Sequence, residues 1–132
     1  MANPDGKKFK FESEDSINSD FLETFDYPGK PQVIRIEYPE FSALCPFSGL
    51  PDLGNVIIEY IPSSKCIELK SLKYYFISFR NVGIYQEKVT DRVFKDLKGS
   101  LTPKYVKVRI IYNRRGGMDT ETTMEWGNKN LT

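Results

Sequence analysis

From Tyr105 to Tyr112 the chain alternates, with Val106, Val108 and Ile110 opposite Lys107, Arg109 and Ile111. That period of two predicts a long strand with one covered face. Val33 to Tyr38 reads as an earlier strand closed by Pro39, and Asn55 to Ile61 as another, stopped by Pro62-Ser63-Ser64. Lys65 to Lys70 then predicts a hairpin partner for the second strand, with Ile67 and Leu69 on one face and Cys66, Glu68 and Lys70 on the other. Beyond it the period changes. Leu72, Tyr75, Phe76 and Phe79 sit at i, i+3, i+4 and i+7, which predicts an amphipathic helix with Ser71 as N-cap. Asn81 and Gly83 break it, and Val89, Val93, Phe94 and Leu97 predict a second helix ending near Gly99 and Pro103. The turn Asn113-Arg114-Arg115-Gly116-Gly117 leads to a last strand around Asp119 to Trp126. Strands, two helices and a final hairpin make an α+β fold: an antiparallel sheet with both helices packed on one face. The other face is left for something else to cover, often another subunit. Residues 1–20 are polar without sustained period and read as a loose arm, and residues 21–132 as a single domain.

Composition narrows the chemistry. A 132-residue chain that is 39% hydrophobic and 14% aromatic can bury one core. Its net charge of +1 gives no electrostatic case for nucleic acid or a membrane surface. No apolar run has transmembrane length and the polar start lacks a signal-peptide core, so a cytoplasmic protein is expected. Histidine is absent altogether. That excludes Ser-His-Asp triads, Cys-His dyads and His-ligated metals, and two cysteines fit no common zinc motif. No metal is expected.

Three stretches could still carry chemistry. "FSALCPFSGLPD", residues 41–52, places Cys45 before Pro46 and Asp52 after Pro51 in an irregular loop. Cys45 is there either a packed thiol or a nucleophile, and Asp52 either a turn residue or an acid. Cys66, within strand alternation, reads as packing or facing an interface. "ELKSLKYY", Glu68 to Tyr75, sets Lys70 and Lys73 around Ser71, where backbone N–H groups and the helix dipole favour an anion. A solvated basic helix start is the plainer reading. In "SFRNVGIYQE", Ser78 to Glu87, the carboxylate of Glu87 either complements the second helix dipole or accepts paired N–H bonds from a guanine-like edge.

Together these stretches resemble the NADPH-dependent 7-cyano-7-deazaguanine reductases, the nitrile reductases of queuosine tRNA modification. "LCPFSGLPD" is similar to their nucleophile loop, "ELKSLKYY" to their signature motif and "SFRNVGIYQE" to their substrate segment; "LETF", "YPEF" and "RRGG" match in order and spacing. The resemblance is to the short, single-module type. It implies a tunnelling fold whose subunits assemble into a barrel of stacked pentameric rings, a decamer, with active sites between subunits. It further implies Cys45 as nucleophile forming a covalent thioimide and Asp52 as general acid, with Leu50, Pro51 and Leu53 as apolar surroundings that raise its pKa. Glu87 would grip the deazaguanine edge, with Glu68 as a second substrate contact and Gln86 beside them. Lys70, Ser71 and Lys73, and more weakly Arg115, would bind NADPH, consumed twice per turnover. The small-molecule substrate would be 7-cyano-7-deazaguanine, with no direct nucleic-acid or membrane partner.

Two positions depart from the family pattern: Gln86 replaces a histidine, and Arg114 replaces a proline. The first puts a proton relay in doubt. Two other functions use parts of the same equipment. An archaeosine-type amidinotransferase on tRNA would share the thioimide, and a non-catalytic purine-binding module would keep Glu87 without using Cys45.

Overall fold

The computed structural model describes residues 10–131. Its strands are β1 (Thr24–Asp26), β2 (Ile34–Leu44), β3 (Pro51–Ile61), β4 (Lys65–Ile67), β5 (Tyr105–Tyr112) and β6 (Glu121–Gly127). Helices α1 (Leu69–Ile77) and α2 (Gln86–Leu101) lie between β4 and β5. β2, β3, β5 and β6 form one antiparallel sheet in that order, and β1 pairs with β4 in a small second one.

The alternation read for Tyr105–Tyr112 is the strand observed. Val106, Val108 and Ile110 are fully buried, in register with Tyr60, Ile58 and Val56 of β3. Both helices cover this face: Val89, Val93 and Leu97 of α2 join the same core as Leu72, Tyr75 and Phe76 of α1. Each such aliphatic or aromatic side chain contributes about 1.5–3 kcal/mol by leaving water. Phe41 of β2 meets Phe76 and Phe79 edge-on at 5.9 and 5.4 Å between ring centroids, and Tyr38 stacks on Phe76 at 4.9 Å. These contacts fasten α1 to the first long strand. The opposite face carries charged pairs such as Arg35–Glu37 and Arg109–Glu121.

Four details differ from the expectations. Pro39 does not close its strand, because β2 is a sheet edge and its register slips between Tyr38 and Phe41, so the missing N–H is not needed there. Residues 65–67 do not pair with β3; Cys66 faces Phe25 of β1 instead. The first helix starts at Leu69 and its N-cap is Glu68, not Ser71. Part of the expected loose arm is also packed: Glu12 bridges Val82, and Ile17 is buried in the core. Residues 1–9 of that arm lie outside the described residues.

Candidate active site

The β2–β3 hairpin builds one wall of the site. Its loop is closed by the Cys45 N–H donating to Leu50 O at 2.8 Å and the Gly49 N–H donating to Cys45 O at 2.7 Å. Gly49 has φ +74°, a left-handed conformation that glycine adopts without a Cβ penalty. Asp52 sits opposite Ala43 in the ladder and shares the inward face of β3 with Gly54, Val56 and Ile58. The period of two therefore turns an acid toward the helices; only 4% of it is exposed.

A second wall comes from the start of α2. The Leu44 N–H donates to Val82 O at 2.9 Å and the Ile84 N–H to Leu44 O at 3.0 Å. These two bonds hold the residue before Cys45 against the segment that leads into α2, whose first turn contains Gln86 and Glu87. The β5–β6 hairpin supplies Arg115. Cys45, Asp52, Gln86, Glu87 and Arg115 line one cleft of about 380 Å³.

Its electrostatics are uneven. Arg115 forms an ion pair with Asp52, in which the Asp52 side chain is 6% and the Arg115 side chain 41% exposed. Burial raises the Cys45 thiol, but hydrogen bonds from the Ser48 and Phe47 backbone, the Ser48 hydroxyl and the Arg115 charge outweigh it. The net direction is down. Asp52 is thus placed with the thiol, as read, but not in the expected surroundings: Leu50 and Leu53 are 45% and 49% exposed, and its neighbour is a guanidinium.

The remaining expected site residues lie elsewhere in the protomer. Glu68 lines a separate cavity of about 580 Å³ with Phe25, Tyr60, Cys66 and Leu69. Its carboxylate accepts the Lys70 N–H at 3.0 Å and the Ser71 N–H at 2.8 Å, which hold its pKa below the usual carboxylate range. Those first-turn donors are therefore taken, and an anion cannot use them. Ser71 is buried, its hydroxyl donating to Glu68 O at 2.7 Å and accepting the Glu23 N–H at 2.9 Å. Together these bonds hold the start of α1 against the segment around Glu23. Lys70 and Lys73 are exposed and make no ion pair among the described residues; Lys70 shares a depression with Asp20, Glu23 and Glu68. Arg115 is with Cys45, not with these lysines.

The family model described as QueF-like protein matches residues 51–130. The chain belongs to the QueF-like family. Among its relatives, the NADPH-dependent 7-cyano-7-deazaguanine reductase of Thermotoga maritima is 57% identical over 125 residues, covering 94% of this chain and 91% of the relative. The enzyme of that name from Chlorobaculum tepidum is 43% identical over 112 residues, covering 83% and 96%. The crystal structure of the archaeosine synthase QueF-Like in its apo form superposes with a TM-score of 0.70 at 25% identity, covering 77% of this chain and all of that one. The α+β reading and the QueF-like fold agree.

This QueF-like cleft also has walls that local sequence patterns do not advertise. Tyr85 and Met118, 56% and 68% exposed, line it as apolar surface. Tyr112 lies beneath it. Its phenol is kept neutral by burial and by the charges of Asp52 and Glu87, and it donates a long 3.5 Å bond to Gln86 O. Gly54, opposite Tyr112 in the ladder, makes that possible, since a Cβ there would stand 3.2 Å from the Tyr112 ring. Tyr112 ends the alternation of β5 as a buried residue, and only the fold brings it within electrostatic reach of two carboxylates.

Proposed function

We propose that this chain is an NADPH-dependent 7-cyano-7-deazaguanine reductase, converting the nitrile to the aminomethyl group for queuosine modification of tRNA. The observation that carries the mechanism is the convergence of Cys45, Asp52 and Glu87 on one cleft. The reading of the enzyme as a reductase rests on relatives of that name at 57% and 43% identity. The archaeosine-type alternative draws only on a 25% identical neighbour and is not favoured.

Cys45 attacks the nitrile carbon as thiolate, and the nitrogen gains charge as the S–C bond forms. The Asp52 carboxylate accepts the thiol proton and returns it to that nitrogen. The S–H bond breaks, the S–C and N–H bonds form, and the product is a neutral thioimide. Glu87 offers two acceptor oxygens to the N–H edge of the deazaguanine, and exposed Tyr85 gives the flat ring an apolar wall. Glu68 is a second substrate contact reached through a neighbouring subunit, and Gln86 orients the substrate by its amide.

NADPH fits the donor chemistry in part. Lys70 and Lys73, one helical turn apart and exposed, would hold its phosphates; the capped first-turn N–H groups and Ser71 would not. When bound, it supplies the reducing equivalents, two molecules per nitrile. The division of these residues between separate surfaces of one protomer, with β2 and β6 as open sheet edges, supports a homo-oligomer with shared sites. Stacked pentameric rings are the assembly we infer. No helix among the described residues is long and apolar enough to cross a membrane, and a cytoplasmic setting suits a tRNA precursor pathway.

The test is to offer the purified protein the nitrile with either NADPH or ammonia. Aminomethyl product with NADPH alone supports the reductase. Amidine product with ammonia supports the transferase, and neither product sinks both.

A further inference from the structure

Consecutive arginines in the β5–β6 hairpin have different partners. Arg114 donates two bonds to Asp119, at 3.0 and 2.9 Å, and both side chains are about 70% exposed (70% and 68%). Arg115 turns instead to Asp52, 63 residues away and almost fully buried. The turn that presents it is closed on both sides: the Arg115 N–H donates to Met118 O at 3.0 Å and the Met118 N–H to Arg115 O at 2.9 Å. Gly116 and Gly117 occupy its two central positions at φ +57° and +78°, the left-handed pair that a tight hairpin requires. The hairpin is thus built to hold Arg115 at one place.

That place decides the charge of the cleft. Around Cys45 stand Asp52 from β3, Glu87 from α2 and, beneath, the neutral Tyr112 phenol of β5. Asp52 and Glu87 thus bring two carboxylates to the cleft that holds the thiol. Arg115 is the one cation lining the cleft among the described residues. Its guanidinium neutralises Asp52 and sits within electrostatic reach of the sulfur, which adds to the hydrogen bonds from Phe47 and Ser48.

We propose that Arg115 is a positioning residue for the covalent step: it fixes the Asp52 carboxylate in the cleft that holds Cys45 and stabilises the charge that develops on sulfur as the thiol proton leaves, before any reductant binds. This rests on Cys45 being the nucleophile of the reaction proposed above. It assigns Arg115 to thiol addition, a step that precedes any use of phosphate contacts.

Two measurements separate this from its alternatives, both without NADPH. The first is the rate of Cys45 alkylation by iodoacetamide against pH, read by mass spectrometry on the Cys45 peptide. The second is the rate at which 7-cyano-7-deazaguanine forms its adduct. Arg115→Gln should raise the alkylation midpoint by roughly one pH unit and slow adduct formation about tenfold or more at neutral pH. Arg115→Lys should restore the midpoint but only part of the adduct rate, since an ammonium lacks the planar fork that orients a carboxylate. Arg114→Gln should match the parent in both. An unchanged midpoint and adduct rate in Arg115→Gln overturns the proposal. So does an equal loss in Arg114→Gln, which would make the effect one of the turn. If the parent itself forms no nitrile adduct, the substrate reading fails, and the alkylation midpoints still decide the role of Arg115.

Discussion

Replacing Asp52 by asparagine keeps the size of the side chain while removing its charge and its ability to carry a proton. The structural cost follows from the ion pair with Arg115. Breaking a fully buried pair costs about 3–5 kcal/mol, but an exposed pair is worth ~1 kcal/mol or less. Here Asp52 is buried and Arg115 is 41% exposed, so the guanidinium can regain water once its partner is gone. About 1–2 kcal/mol is the reasonable figure, a fall in Tm of roughly 3–6 °C for a chain of this size. The chemical cost should be larger. Loss of a positioned proton donor slows a step by about 10²–10⁴-fold, equivalent to ~3–5 kcal/mol of barrier. The two effects are separable, because Arg115 freed from Asp52 still stabilises the sulfur. Asp52→Asn should therefore stay folded at assay temperature and alkylate Cys45 at least as fast as the parent, yet form the nitrile adduct at least ~100-fold more slowly. Mass spectrometry with iodoacetamide and with the nitrile, beside a thermal melt, checks all three. Adduct formation at the parent rate would remove Asp52 from proton transfer.

Other outcomes follow from the same geometry. Cys45→Ala should abolish adduct and turnover, while Cys66→Ala, a change within the β1–β4 region, should leave adduct formation within a few-fold of the parent; a dead Cys66 variant would reverse the assignment. Replacing Lys70 and Lys73 by alanine should raise the KM for NADPH and leave the NADPH-free adduct intact, which steady-state kinetics and mass spectrometry would check. Glu68 has a folded pKa below its unfolded value, so its capping contribution is complete above about pH 4.3 and is lost as pH falls through the folded pKa. Glu68→Gln should thus destabilise α1 at neutral pH and weaken the acid dependence of its helical circular dichroism; an unchanged acid profile would contradict the cap. Gln86 cannot titrate, so the kcat profile should lack a group near pH ~6.5, and Gln86→His should add one without being needed for full reduction.

Local pattern carried much of this fold. Tyr105 to Tyr112 alternates strictly enough to define β5 residue by residue, and the apolar stripe from Val89 to Leu97 defines the body of α2. What failed was information held by distant partners. Pro39 stops a central strand but not an edge strand at a bulge, and the edge is set by which strands pair. Residues 65–67 look like a hairpin return, but β1, about 40 residues earlier, takes them. Ser71 is a good N-cap residue, yet the helix starts two residues earlier at Leu69, where Glu68 caps the Lys70 and Ser71 N–H groups and leaves the Ser71 hydroxyl to bind Glu23. The site divides in the same way. Cys45 and Asp52 are joined by one hairpin and are readable together. The Arg115–Asp52 pair spans 63 residues with no local signal, and so the acid was expected in apolar surroundings when its neighbour is a cation. The resemblance likewise offers Arg115 only as a weaker phosphate candidate and carries no sign of its pairing with Asp52.

The central claim is that Cys45 and its cleft reduce a nitrile completely, and the stoichiometry of NADPH consumption tests it most directly. A limiting, known amount of 7-cyano-7-deazaguanine is mixed with the protein and excess NADPH, the loss of nicotinamide absorbance is followed to completion, and the product is identified by mass. Two NADPH oxidised per nitrile, with the aminomethyl compound as sole product and no turnover by Cys45→Ala, is the predicted result. An adduct that accumulates on Cys45 with no NADPH oxidised would contradict the account.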